Sequence, residues 1–395
     1  MRRVVEVPDF AFALFMATFK GYMKKRCFMK RWIIVCLLCL LAGYMHAQSK
    51  WYNPRQAGVR VVNGQGWYEE LAGGYNRLPE RIREKIRPSL WNLSTHSAGL
   101  SLVFRTNAPE LTVRYGISGA EDMSHMPATG VSGVDLYVKN EDDGQWHYIA
   151  KNINWSFGDT VRYTFHMTGG ENREYRLYLP LYNHVEWMEV GADSASRFEW
   201  VPYDEACPIV AYGTSILQGG CASRPGMAWT NILSRRLKYP LLNLGFSGNG
   251  QMDTEIIDLI AEVPARLYII DCIPNVPYME DELFMSRFRY GITKLRKASD
   301  APILLVEHEG GMSQSGDPGV LHKNELLRKC YEDMCREGVK ELYLFKCGEM
   351  EFPEDGTVDG VHPNDLGMEA TAAGYEKKIR EIFRDNRYFC PGQKK

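Results

Sequence analysis

The chain has 395 residues, 45% of them hydrophobic and 24% charged, with a formal net charge of -2. That composition belongs to a globular chain with room for two or three domains. A charge near zero, with no run of Lys and Arg interleaved with aromatics in the body of the chain, gives no support to nucleic-acid binding, and none is expected.

In chain order the first feature is "MKRWIIVCLLCLLAGYMHAQSK", Met29 to Lys50. Lys30 and Arg31 form a charged start, Trp32 to Ala42 a short apolar run, and "MHA" a cleavage site before Gln48. This is the grammar of a secretory signal peptide, too short and wrongly flanked for a stable membrane span. A lipoprotein would carry a cysteine after "LLAG", where Tyr44 stands. The residues before Met29 lack this logic and read as an over-called start. A leader over 1–47 is therefore expected, with the mature chain in the periplasm or outside the cell. Export leaves Cys207, Cys221, Cys272, Cys330, Cys335, Cys347 and Cys390. Without regular spacing these form neither a disulfide framework nor a zinc site, and a Cys330–Cys335 bridge stays open.

Residues 48–203 read as short strands. "LSLVFRTN", "ELTVRYGI", "GVDLYVKN", "QWHYIAKN", "VRYTFHMT", "REYRLYLPLY" and "HVEWMEVG" are rich in Val, Tyr, Phe and Thr, and largely alternate in polarity. Turn clusters such as "NEDDG" and "TGGEN" separate them, which predicts a β-sandwich or jelly roll. Trp51, Trp67, Trp91, Trp146, Trp155, Trp187 and Trp200 fall in this half, and most of them are expected in its core.

From Pro208 the grammar switches, and 204–395 is expected to form a second domain. "PIVAYG", "PLLNLGF", "RLYIID", "PILLVE" and "ELYLFK" are compact apolar runs of buried-strand length. Between them lie helical patterns, "MAWTNILSRRL", "TEIIDLIAEV", "ELFMSRFRYGITKLRKA" and "KNELLRKCYEDMCRE", and "GMEATAAGYEKKIREIFR" closes the series. Alternating strand and helix predicts a parallel sheet between helices, with the active site past the carboxyl ends of the strands.

At those ends stand chemically useful residues. "GTSILQGG" puts Ser215 where the chain leaves the first strand. "SGNGQ" follows the second strand, Asn275 the third, and "DGVHP" the last. A serine hydroxyl becomes a nucleophile when a base takes its proton, and the base needs an acceptor on its far nitrogen to fix its tautomer. His362 is the candidate base, and Asp359, three residues earlier, the acid that orients it. The amides of Ser215 and Gly248 with the side chain of Asn275 form the candidate oxyanion donors. Each piece alone has a plainer explanation: Ser215 as a helix cap, "DGVHP" and Asn275 as turns, "SGNG" as a flexible loop. Their occurrence at successive strand ends is what structure alone rarely produces.

The order Ser, Gly, Asn, Asp-x-x-His resembles the SGNH (GDSL-like) hydrolase superfamily. It is similar in particular to the secreted bacterial branch with an N-terminal "GxDLY" β-domain, on the evidence of "HMPATGVSGVDLY", "YGTSILQGGCASRPGMAW" and "NLGFSGNGQM". The resemblance covers nearly the whole mature chain. It implies a flavodoxin-like hydrolase domain, Ser215 as nucleophile, Gly248 and Asn275 in the oxyanion hole, and Asp359 and His362 completing the triad. Two positions depart from the pattern: "GDS" is "GTS", with Thr214 in place of the acid, and "GxND" is reduced to "IPN".

Rival features are weaker. "VEHEGG", from Glu307, sets two carboxylates beside His308 but lacks ligands at helical spacing, so no metal and no cofactor are expected. Glu307 is read instead as lining the pocket, and Asp271 as structural rather than as a second acceptor. Ser247 in "GFSG" does not complete a nucleophile elbow. The expectation is a secreted serine esterase acting on O-acyl, above all O-acetyl, esters of carbohydrates. The alternatives are a lipid or thioester acyl hydrolase, or an inert glycan-binding protein. Small-molecule or oligosaccharide esters are the expected partners, with no nucleic acid and no membrane span in the mature chain. The oligomeric state is not legible.

Overall fold

The computed structural model describes residues 49–71, 73–149, 153–167, 170–309 and 316–385. The expected leader and Cys390 lie outside the described residues. From Lys50 onward the chain belongs to one compact unit.

The C-terminal half is built on five parallel strands in the order Leu241–Gly245, Ile209–Gly213, Leu267–Asp271, Ile303–Val306, Leu342–Phe345. Their residues are almost all buried, which is why they read as continuous apolar runs rather than alternating ones. Helices Thr254–Ile260, Asp281–Ala298 and Pro318–Arg336 pack one face through residues such as Ile257, Phe288 and Leu327. Trp229–Leu237 and Asp365–Asp385 cover the other through Trp229, Ile232, Tyr375 and Ile379. The strand order reverses beside Ile209–Gly213, so a crevice opens beyond its carboxyl end.

The N-terminal half is a β-sandwich. One antiparallel sheet runs Ser49–Tyr52, Val185–Asp193, Glu110–Ile117, Val161–His166, Asn154–Ser156. The other runs Phe198–Trp200, Ser101–Thr106, Arg173–Tyr178, Asp135–Lys139, Trp146–Tyr148, with Val62–Asn63 added to Ser101–Thr106. Leu102, Phe104, Val113, Tyr115, Phe165 and Leu177 fill the space between them. The alternation in Val161–His166 is the period-2 pattern of a strand with one face buried.

Two expectations need correction. Residues 54–94 are not strands throughout: they include the 3-10 helices Pro54–Gln56 and Glu80–Lys85 and the α-helices Tyr68–Leu71 and Pro88–Ser94. Glu80–Lys85 and Pro88–Ser94 pack on the parallel-sheet half, where Trp67, Ile82, Leu90 and Trp91 share a core with Ile256 and Ile260, whereas Ala57 and Tyr68 pack against the sandwich core. The tryptophans are also not mostly core. Trp67 and Trp91 are buried, Trp51, Trp146, Trp187 and Trp200 are half-buried, and Trp155 is exposed.

The halves are joined by polar ties as well as apolar ones. Arg77 is fully buried and donates to the carbonyls of His96, Leu93, Asn243 and Gly245, at 2.6 to 3.2 Å. Burial lowers its guanidinium to about 9. The signature "GVDLY" has a structural meaning here. Buried Asp135 accepts from Arg224 at 2.8 Å and from the Gly226 N–H at 2.7 Å, and Arg224 also donates to the Tyr137 hydroxyl. A Cβ on Gly226 would stand 2.4 Å from that hydroxyl, so only glycine fits.

Candidate active site

Ser215 owes its position to the strand end beneath it. Gly213 takes the bond from the Phe246 N–H, and a Cβ there would stand 2.3 Å from the Asp271 carbonyl. The chain then turns at extended Thr214 into the single turn Ser215–Gln218, which Gly219 ends at φ +106°. Three neighbours pin that turn. The Tyr182 hydroxyl of the N-terminal half and the Gly220 N–H donate to the Ser215 carbonyl, and the Trp229 indole donates to Ile216. Thr214, where the sequence departs from the family pattern, is buried, and its hydroxyl has no partner among the described residues.

Asp359 and His362 occupy one tight turn, closed by the Thr357–Pro363 bridge and the bond from Val358 N–H to the His362 carbonyl. Asp359 Oδ1 accepts from the backbone N–H groups of Val361 and His362, at 3.0 and 2.7 Å. Its Oδ2 stands 2.7 Å from His362 Nδ1. Partial burial pushes the carboxyl up, but the His362 backbone and ring and the Val361 N–H outweigh it and hold Asp359 at about 2. An ionised Asp359 keeps the proton on Nδ1 and leaves Nε2 as an acceptor. His362 Nε2 lies 2.8 Å from Ser215 Oγ.

Gly248 and Asn275 follow the carboxyl ends of the two strands that flank Ile209–Gly213. Gly248 has φ +66° with open space around a built Cβ, so backbone conformation rather than room calls for glycine. Gly250 lies against Gly213, where a Cβ would be 2.2 Å from the carbonyl oxygen, and its N–H donates to Asn275 Oδ1 at 3.0 Å. That bond commits the Asn275 oxygen and leaves its NH2 as a donor. The amide of Gly248 and the NH2 of Asn275 bond to no group among the described residues. Ser215, first in its turn, has no acceptor within the helix for its own N–H.

The loop carrying Gly248 is braced from the N-terminal half. Arg87 donates to Asn249 Oδ1 at 2.8 Å, to the Asn249 carbonyl at 3.2 Å and to Asp253 at 2.8 Å. Gln218 accepts from the Ser247 N–H and is itself held by Leu181 and His96. Burial, then the charges of Arg77 and His184, lowers His96 to about 3, so it is a neutral acceptor at neutral pH. Neither Arg87 nor His96 carries a motif in the sequence; each is recognisable only by what it touches.

The rival residues take structural places. Arg328 binds both oxygens of Glu307, at 2.6 and 2.9 Å, and the Cys347 N–H adds a third bond. Glu307 does line a cavity of about 80 Å³, together with Ile216, His308, Val361 and Tyr375. Asp271 is buried and accepts from Tyr375 at 2.9 Å; burial raises its carboxyl to about 6 against that bond. No cluster of three metal-ligating side chains occurs among the described residues. Cys221, Cys272, Cys330, Cys335 and Cys347 are free, which removes the Cys330–Cys335 bridge, while Cys207 is disulfide-bonded. No helix among the described residues is long and apolar enough to cross a membrane.

Residues 206–380 match the GDSL-like lipase/acylhydrolase family, and residues 49–198 match the GxDLY N-terminus of SGNH-hydrolase-type esterases. A Bacteroides ovatus protein assigned as a GDSL-like lipase is 30% identical, with a TM-score of 0.76 over 85% of this chain and 98% of its own. A salicylyl-acyltransferase from a tetracycline biosynthetic pathway shares the fold at 16% identity, TM-score 0.65, over 85% and 98% of the two chains. A family two carbohydrate esterase from Cellvibrio japonicus does so at 12% identity, TM-score 0.54, with the same coverage. No curated protein sequence matches the chain.

Proposed function

The chain belongs to the GDSL-like lipase/acylhydrolase family and is an ester hydrolase of the SGNH type, and from that premise we propose that it is a secreted serine esterase that removes O-acetyl groups from carbohydrates. The observation that carries the catalytic part is the continuous relay from Asp359 through His362 to Ser215 Oγ, with contacts of 2.7 and 2.8 Å. In this reading His362 Nε2 takes the Ser215 proton as Oγ attacks the ester carbonyl. The oxyanion forms between the amides of Ser215 and Gly248 and the NH2 of Asn275. His362 then returns the proton to the departing alcohol, which leaves an acyl-Ser215 that water cleaves by the same steps in reverse. Asp359 stays ionised and steadies the imidazolium.

The division into a leader over 1–47, a β-domain over 48–203 and a hydrolase domain over 204–395 is part of this proposal. The charged start and apolar run after Met29 support export, which brings the protein to glycans. The fold is one that also serves a carbohydrate esterase. An inert glycan-binding protein would have no use for a relay of this geometry, and no amphipathic lid in the sequence favours a lipid interface. The test is acetate release from acetylated oligosaccharides set against hydrolysis of long-chain acyl esters. Higher kcat/KM on the long-chain esters would replace the carbohydrate reading with a lipid one, and turnover of neither would leave the glycan-binding reading.

A further inference from the structure

The motif "SHMPATGV" has no task in the relay, yet it brings a further imidazole, His125, next to His362. Ser124 and His125 form the tip of a turn whose ends, Met123 and Met126, exchange backbone bonds of 3.1 Å in both directions. The turn is fastened to the hydrolase half. Met126 is buried in the same apolar cluster as Ile216 and Trp229, and Thr129 Oγ1 donates to the Ser223 carbonyl at 2.7 Å. Gly130 lies so close to Ala222 that a Cβ would stand 2.2 Å from its carbonyl oxygen. Ser223 is in turn bound through its N–H and hydroxyl by Asp365, three residues after His362. His125 and His362 thus hang from one framework, and their ring centroids are 5.8 Å apart.

His125 has no packing role that would explain this placement. It is exposed, and among the described residues its ring's one polar contact is a 3.5 Å approach of Nδ1 to Ser124 Oγ. Nε2 bonds to no group among the described residues. The side of the ester it faces follows from the chemistry proposed above, on which this inference rests. The carbonyl oxygen goes to the Gly248 and Asn275 donors, while the alcohol oxygen must lie against His362 Nε2 to receive its proton. A ring next to His362 therefore meets the alcohol, not the acyl group.

We propose that His125 is a specificity-determining residue of the alcohol subsite, where its imidazole hydrogen-bonds a hydroxyl of a polyhydroxy leaving group such as a sugar. An aryl or alkyl alcohol without further hydroxyls offers that ring no such partner. The N-terminal half, on this account, contributes a substrate contact.

The experiment compares kcat/KM for an acetylated methyl xyloside and for 4-nitrophenyl acetate, esters with the same acyl group and different alcohols. In His125→Ala the sugar ester should lose more than the aryl ester, so that their ratio falls at least about fivefold, the worth of a hydrogen bond of ordinary strength. His125→Gln, which keeps a side-chain donor, should recover part of the ratio, and the melting temperature of both variants should match the wild type. A ratio unchanged within about twofold overturns the proposal, because a contact to the alcohol must discriminate between alcohols. Failure of the underlying reading is visible separately, in the wild type. Activity on 4-nitrophenyl acetate but on no acetylated sugar sinks the carbohydrate substrate, and the same ratio is then taken with monoacetylglycerol, whose alcohol also bears hydroxyls. No activity on any ester, or full activity in Ser215→Ala, sinks the serine mechanism and this proposal with it.

Discussion

At the scale of residues, the relay makes demands that mutation can check. Ser215→Ala should lower kcat/KM by about a thousandfold or more while leaving the melting temperature unchanged, since among the described residues the hydroxyl bonds to His362 alone. Activity within about tenfold of wild type would refute the nucleophile assignment. The pH profile separates the two ionisable members. Asp359 is held at about 2, so its depressed carboxyl supports the fold above the ordinary carboxylate range and loses that support as pH falls through about 2. It therefore contributes no limb to the activity profile near neutrality. A base must be deprotonated to act, so log kcat/KM should climb with pH at a slope of about one and then level off. A slope of about two would mean that a second group also has to lose a proton. Ser215, Asp359 and His362 were legible because each had to follow a strand, and strands announce themselves as apolar runs. His125 was not. Its sequence neighbours mark a turn, and nothing local says that the turn ends beside an imidazole in the other half of the chain.

At the scale of elements, loops after different strands are held by unlike means. The Asp359–His362 turn is stabilised from within by its own carboxylate, so its spacing alone revealed it. The "SGNG" loop is stabilised from outside, and Arg87 is its main brace. Arg87→Ala should lower kcat about tenfold or more with little change in KM, because it would displace the proposed oxyanion donor at Gly248, and such a donor acts mainly in the transition state. A rise in KM alone, measured by steady-state kinetics on one ester, would show that the loop binds substrate and does not stabilise the oxyanion. The same contrast explains where sequence reading failed. Residues 54–94 lack helical period because their order comes from docking Trp67, Leu90 and Trp91 against the neighbouring half, not from an amphipathic stripe of their own. The five sheet strands carry their burial in composition and so were plain from the start.

At the scale of the whole molecule, the two halves depend on each other. Asp135→Ala would leave Arg224 partly buried without its carboxylate, at a cost of about 3 kcal/mol. Unfolding should remain a single transition shifted to lower denaturant, as followed by fluorescence and by loss of activity together; two separated transitions would show that the halves are independent. Arg77 extends this dependence into the history of each molecule. Two of its acceptors, the carbonyls of Asn243 and Gly245, lie 166 and 168 residues further along the chain. While the chain is being synthesised, the first half must wait with a cation and several large apolar side chains uncovered until the second half emerges. The protein is then unfinished for most of its synthesis. Under the proposed export such a delay is an advantage, because the strand Leu241–Gly245 that lets the first half close is made well after that half.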